Sequence, residues 1–325
     1  MPQGPFADLR RPGGPVSKSR RPTTTRHYSG ITTGPMIDLH SHILPGIDDG
    51  ARDLATSLDM ARAFVADGVE VVACTPHILP GIYHNTGPQI LAAVSALQRA
   101  LEENEIPLKV VSGADNHVVA SFVADLHSGH LLTLAGTRYV LVEPPHHVMP
   151  PRLEALFFDI AMAGFVPILT HPERLTWITQ HYAVMERLVR GGTWMQITAG
   201  SLAGDFGRSA KYFAERMLDD GLVHILATDA HDTVRRRPML AKGRELAARR
   251  VGEDEARLLV EDRPRKILEN ALPSSSPEPR APSAAGDRHA APHANPARSD
   301  RSRRQDDRDD APRGGIIGRL RRLLD

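Results

Sequence analysis

Met36-Ile37-Asp38-Leu39-His40-Ser41-His42 is the stretch on which the reading of this chain turns. A short apolar run, too brief for a helix, ends in two imidazoles two positions apart. On an extended strand residues i and i+2 share a face, so both can approach one point. The same event recurs along the chain. Apolar, β-branched runs at 69–74, 108–112, 139–142, 165–169, 193–197 and 223–227 lead to His77, Asp115, Glu143, His171, Thr198 and the pair Asp229 and His231. Helix-period segments lie between them. Asp53 is expected to cap the first, with Leu54, Leu58, Ala61 and Val65 on its apolar face and Gly68 as its stop. Further helices are expected at 89–104, 121–126, 152–163, 183–190 and 209–219, and two closing ones at 240–250 and 253–269. Seven strand–helix repeats, about one strand per thirty residues, predict an α/β fold with the parallel strands of a TIM-like barrel rather than a sandwich. Strand ends of such a barrel converge on a single mouth.

Not all of the 325 residues belong to that frame. Residues 1–35 are rich in Pro, Gly, Arg and Thr, and 273–313 in Pro, Ser, Ala, Arg and Asp. Neither shows apolar periodicity, and such segments cannot bury enough surface to offset the entropy of ordering. Both are expected to be disordered, flanking one domain at 36–272. The tails 1–35 and 273–325 hold 17 of the 40 Lys and Arg but nine of the 39 Asp and Glu, which leaves the middle near −7. An acidic middle argues against nucleic acid as its ligand and suits a carboxylate-rich cation site. The single cysteine, Cys74, excludes an intrachain disulfide framework. With no apolar run long enough for a signal peptide or a membrane span, the expected location is the cytoplasm. At 314–325, Ile316, Ile317, Leu320, Leu323 and Leu324 fall on one helical face among Arg319, Arg321 and Arg322. That short amphipathic helix is a candidate for docking on a partner or an anionic membrane surface.

Each strand-end residue has a plainer reading when taken alone. His40 and His42 would do as loop histidines, His77 and Asp115 as turn residues, and Asp48 and Asp49 as turn formers in Pro-Gly-Ile-Asp-Asp-Gly. Taken together they are harder to dismiss. Asp229-x-His231 on the last strand repeats the His40-x-His42 geometry of the first, and in a closed barrel those strands are neighbours. A carboxylate such as Glu143 at a buried strand end is costly unless paired or metal-bound. Imidazole with carboxylate suits Mn, Fe, Zn or Co better than Ca or Mg. Arg174, three residues after His171, and the run Arg235, Arg236 and Arg237 add planar forks that match phosphate oxygens. Cations beside arginines are the equipment for hydrolysing an anionic ester.

Met36 to Gly50, Thr75-Pro76-His77, His171-Pro172-Glu173-Arg174, Ala199-Gly200-Ser201-Leu202 and Thr228-Asp229-Ala230-His231 resemble the PHP-type bacterial protein-tyrosine phosphatases of capsule and exopolysaccharide operons. The resemblance spans 36–272. It implies a distorted (β/α)7 barrel of the PHP superfamily with three divalent cations, manganese first and Fe, Co or Zn after it. By position, His40, His42, Asp115 and Asp229 would hold one ion; Asp115, Glu143 and His171 a second; Asp49, His77 and His231 a third. The family usually has glutamate where this chain has Asp115, and Glu143-Pro144-Pro145-His146-His147 departs from its usual Glu-Phe-Pro. The implied chemistry is direct attack of metal-activated water on phosphorus, with Arg174 and one of Arg235 or Arg236 on the phosphate oxygens. The implied substrate is a phosphotyrosine protein, in particular a bacterial tyrosine autokinase. Two other readings keep part of this: a PHP phosphoesterase for a histidinol-phosphate-type ester or nucleic acid, and a regulatory binding module without catalysis.

Overall fold

The computed structural model describes residues 34–282. The expected disordered extension at 1–35, apart from its last two residues, lies outside them, as do the linker beyond residue 282 and the expected helix at 314–325.

The expected runs become strands, and every strand pairing is parallel. In chain order the elements are β1 (Met36–Ser41), α1 (Leu54–Ala66), β2 (Val69–Cys74), β3 (His77–Ile78), α2 (Gly87–Glu103), β4 (Lys109–Ser112), β5 (Asp115–His117) and α3 (Phe122–Ser128). There follow β6 (Tyr139–Glu143), α4 (Leu153–Met162), β7 (Val166–Thr170), α5 (Ile178–Arg190), β8 (Trp194–Thr198), α6 (Ala199–Ala203) and α7 (Gly207–Asp219). The last are β9 (Ile225–Ala227), α8 (Leu240–Val251), α9 (Glu253–Arg257) and α10 (Arg263–Leu268). Asp53 caps α1 by accepting the Thr56 backbone N–H at 2.8 Å, and Gly68 ends it with φ +85°, a conformation a side chain would strain.

Two expectations need correction. The buried face of α1 is Ser57, Met60, Ala61 and Phe64, whereas Leu54 is 44% exposed. Both sets satisfy helical spacing, and turning Phe64 and Met60 inward removes more apolar surface from water. The closing helix expected at 253–269 is interrupted by a π-helical turn, Leu258–Asp262. Pro264 stands two residues beyond it and has no N–H to donate, so a regular ladder cannot run through it. Beyond α10, Pro273–Ser275 forms one 3-10 turn, and the Pro277 carbonyl accepts the Arg263 Nε–H at 2.9 Å.

The strands form two sheets, β1-β2-β4 and β3-β5-β6-β7-β8-β9. The seam falls where the second and third runs each break in two. β2 resumes as β3 after Thr75-Pro76, and β4 resumes as β5 after Gly113-Ala114. Pro76 cannot donate to a ladder, and a Cβ at Gly113 would sit 3.0 Å from Leu134 and Thr75 side chains. First and last strands also meet. Ser41 bridges to Ala230 in parallel, His42 N–H donates to the Ala230 carbonyl at 2.8 Å, and Asp229 N–H to the His40 carbonyl at 2.9 Å. Below them Thr228 donates its N–H and hydroxyl to the buried Asp38 carboxylate. Alternate strand residues feed two apolar clusters, with Ile37, Leu39, Tyr139, Leu141, Ile168 and Trp194 in the smaller. Both strand faces are therefore covered, and polar side chains gather at the strand C-terminal ends. Among the described residues no helix is long and apolar enough to cross a membrane.

Candidate metal centre

All nine residues nominated as metal ligands, eight at strand ends and Asp49 in the loop after β1, meet in one cluster, most of it buried. His40 Nε2 lies 3.4 Å from Asp229 Oδ1 and 3.5 Å from Asp115 Oδ2; His42 Nε2 lies 3.2 Å from Asp229 Oδ1. Asp49 Oδ1 is 3.6 Å from His77 Nε2 and 3.5 Å from His231 Nε2. Glu143 Oε1 is 3.4 Å from His171 Nε2, and Glu143 Oε2 is 3.3 Å from His77 Nδ1. His171 Nε2 also faces Asp115 Oδ2 at 3.8 Å. His171 and Asp229 both adopt positive φ, +33° and +52°. Such backbone is uncommon outside glycine and persists only where surrounding contacts enforce it. Here the turn after β7 is tied down by Glu173, whose Oε1 accepts the Thr198 N–H at 2.9 Å and the Ser201 hydroxyl at 2.7 Å.

Second partners orient several rings. His40 Nδ1 faces Gln196 Oε1 at 2.8 Å, His42 Nδ1 faces Asp48 Oδ2 at 2.7 Å, and His231 Nδ1 faces its neighbour Asp229's carbonyl at 3.0 Å. A proton on each Nδ1 leaves Nε2 with a lone pair aimed into the cluster. Asp48 is thus an orienting carboxylate, also accepting the Gly50 and His77 backbone N–H groups.

The electrostatics of this cluster call for positive charge. Burial would lower His40 and His42, yet Asp229 and Asp115 around the first and Asp48 and Asp229 around the second hold both above the ordinary imidazole value. Against the same burial, Glu143 pushes His77 up to about 9. Burial and the Arg174 charge push His171 down to about 3, and burial with His42 and Arg236 brings His231 to about 4. Asp229 stays well below the carboxylate range because Arg236 and His40 outweigh its burial. Asp49 Oδ1, both oxygens of Asp115, Asp229 Oδ1 and His231 Nε2 are buried without a hydrogen-bond partner. Unpaired buried acceptors of that kind are expensive, and divalent cations are what this donor set fits.

A pocket of about 560 Å³ opens over the cluster. Arg174 and Arg236 enter it, and both guanidinium groups contact Asp229 Oδ2. Arg235 is exposed on the rim, so of the arginines after His231 it is Arg236 that reaches the centre. Four lining or flanking residues escaped the sequence reading. His117 contacts Glu143, and its Asp115-x-His117 spacing repeats Asp229-x-His231, a signal that was there to be used. His146 Nε2 lies 3.2 Å from Glu143 Oε1. Phe206 lies under Arg174, with Cζ 4.3 Å from its ring centre, and Tyr83 stacks on His77 at 5.5 Å. Nothing local in the sequence marks either aromatic. Cys74 is fully buried in β2, and burial pushes its thiol far up.

Fold and centre together define a metal-dependent enzyme on a parallel α/β frame. The chain belongs to the family described as capsular polysaccharide synthesis, CpsB/CapC, which it matches over residues 36–269. It is 40% identical over 197 residues to the tyrosine-protein phosphatase YwqE of Bacillus subtilis, covering 61% of this chain and 78% of that one. With the tyrosine-protein phosphatase CpsB of Streptococcus pneumoniae it shares 26% identity over 242 residues, 73% of this chain and all of that one. A chain from the crystal structures of YwqE and CpsB, described as unique metal-dependent tyrosine phosphatases, superposes with a TM-score of 0.70 at 35% identity, covering 73% of this chain and 96% of that one.

Proposed function

We propose that this chain is a metal-dependent protein-tyrosine phosphatase of capsule or exopolysaccharide synthesis, working in the cytoplasm, with a tyrosine autokinase as substrate. The observation that carries this reading is the set of unpartnered buried carboxylate oxygens facing imidazoles directly beside Arg174 and Arg236. The active domain is 36–272, and its frame is read as a distorted (β/α)7 barrel in which β2 with β3 and β4 with β5 each count as one strand. Three divalent cations are assigned, with manganese the expected metal. His40, His42, Asp115 and Asp229 take one; Asp115, Glu143 and His171 another; Asp49, His77 and His231 the third. In support, the donor atoms of His40, His42 and Asp229 lie within 4.8 Å of one another, as do those of His42, Asp49, His77 and His231.

Bound cations would lower the pKa of coordinated water toward neutrality and offset phosphoryl charge. The side chains supply the rest. The guanidinium groups of Arg174 and Arg236 offer paired N–H donors to two phosphate oxygens and oppose the charge that builds on them in the transition state. Both are held by Asp229 Oδ2, which places their remaining N–H donors side by side at the pocket floor. Phe206 beneath Arg174 holds that guanidinium plane by a cation–π contact. Tyr83 and Phe206 give the pocket apolar walls suited to a phenyl ring. A phenolate leaves readily, its free pKa being about 10, so the site does not depend on a strong general acid. Cys74 has neither the exposure nor the thiolate character of a nucleophile.

Turnover of a phosphotyrosine peptide, histidinol phosphate and single-stranded DNA, each with Mn²⁺, tests the reading. Turnover of the peptide ahead of the other two is expected. Hydrolysis of either alternative with none of the peptide would overturn it.

A further inference from the structure

Glu143 stands among more imidazoles than the nine-residue set assigns to it. β5 and β6 pair in parallel with His117 opposite Glu143, and β3 and β5 pair with His77 opposite Asp115. His117 lies two residues after Asp115 on the same strand and so shares its face. That placement aims its ring at the cluster. His117 Nε2 contacts Glu143 Oε2 and lies 3.3 Å from His77 Nδ1, which is itself 3.3 Å from Glu143 Oε2. Donors coordinated tetrahedrally at about 2.1 Å stand roughly 3.4 Å apart, close to this spacing. The other carboxylate oxygen repeats the arrangement, with His146 Nε2 at 3.2 Å and His171 Nε2 at 3.4 Å from Oε1. His117 and His146 are only 6% and 5% exposed. Each carboxylate oxygen of Glu143 thus faces its own pair of imidazole nitrogens, His77 and His117 at Oε2 and His146 and His171 at Oε1. In each set the three donor atoms lie within 4.8 Å of one another, compact enough to face one ion.

We propose that His117 and His146 are direct ligands of divalent cation bound through Glu143, His117 beside His77 at Oε2 and His146 beside His171 at Oε1. This carboxylate is then the centre of an imidazole-rich site for a borderline divalent ion of the zinc, cobalt or iron(II) kind. The proposal rests on the metal-binding part of the reading above and not on the substrate. The competing role is orientation, in which the two rings hydrogen-bond Glu143 and never touch the ion. An electronic spectrum of the ion separates the two.

Full-length protein is stripped, reloaded with Co²⁺ and analysed for cobalt per chain. His117→Cys and His146→Cys should each add a thiolate-to-cobalt charge-transfer band in the near ultraviolet. The parent should lack it, because Cys74 is buried in β2. A variant that keeps the parent's cobalt content without the band overturns the assignment for that residue. Should the cysteine variants fail to fold, X-ray absorption of cobalt-loaded His117→Gln and His146→Gln replaces them. Fewer imidazoles per cobalt is the expected result, and an unchanged imidazole count overturns the proposal. No substrate enters these measurements, so their outcome is independent of the phosphotyrosine assay.

Discussion

Asp229 Oδ2 receives two guanidinium groups while Asp229 Oδ1 faces His40 and His42, so one carboxylate joins the arginines to the metal centre. Removing either arginine should weaken phosphate stabilisation without emptying the cation sites. Arg174→Ala and Arg236→Ala are each expected to lower kcat on a phosphotyrosine peptide by about 10²–10³-fold, the usual cost of one charge-stabilising donor. Arg235→Ala, on the exposed rim, should cost far less, and an equal loss would mean that Arg235 also grips phosphate. Asp48 acts through His42, to which it is hydrogen-bonded at 2.7 Å. Asp48→Asn should therefore weaken metal binding by about 10–100-fold in chelator competition. Eight of the nine nominated side chains were legible because each stands where an apolar run gives out, where a polar group at a buried strand end needs a reason. Asp49, in the loop after β1, was nominated by the resemblance alone. His117 obeyed the same rule but was passed over, its strand being only three residues long. Phe206 was invisible, since its place under Arg174 depends on how the chain turns between α6 and α7.

Elements position these residues by close contact. α8 crosses α6 at Gly243, where a Cβ would meet the Ala199 Cβ at 2.5 Å and its Cα at 3.0 Å. Neither atom can swing aside, because both are fixed to the backbone of α6. Gly243→Ala is expected to cost about 1–3 kcal/mol by chemical denaturation, in the range of other overpacked contacts. No loss would show that the two helices can slide apart. At this scale the sequence specified the order of strands and helices, since alternation of apolar runs with helical periodicity is local. The inward face of α1 was not specified. Leu54, Leu58, Ala61 and Val65 satisfy the helical period as well as Ser57, Met60, Ala61 and Phe64 do, and only the neighbouring strands choose between them. Nor did local pattern show that the second and third strands would break at Pro76 and Gly113.

Across the whole molecule, buried ionisable groups tie stability to solution conditions. His224, just before β9, stacks on Trp194 with ring centres 5.0 Å apart, and burial with the Arg263 charge pushes it down to about 3. Unfolded, it titrates near the ordinary 6.5. Between those values the unfolded chain binds the extra proton, so His224's contribution is intact above pH 6.5 and is lost as pH falls toward 3. The slope is at most about 1.4 kcal/mol per pH unit. His224→Gln should flatten the fall in stability between pH 6.5 and 4.5 relative to the parent, and parallel curves would refute the assignment. Removing cations leaves buried carboxylate oxygens without a partner, so a chelator should lower Tm and added Mn²⁺ should restore it. The amino-acid sequence by itself determined the parallel α/β order, the limits of the folded segment's apolar patterning and the donor types, because hydrophobic period and residue chemistry are properties of neighbours along the chain. Only the tertiary structure decided that β1 meets β9, that Arg236 and not Arg235 reaches Asp229, and that His117 and His146 close on Glu143. β1 and β9 are far apart in sequence, and even the near neighbours Arg236 with Asp229 and His146 with Glu143 meet only through the course of the loops between them, which no periodic pattern encodes.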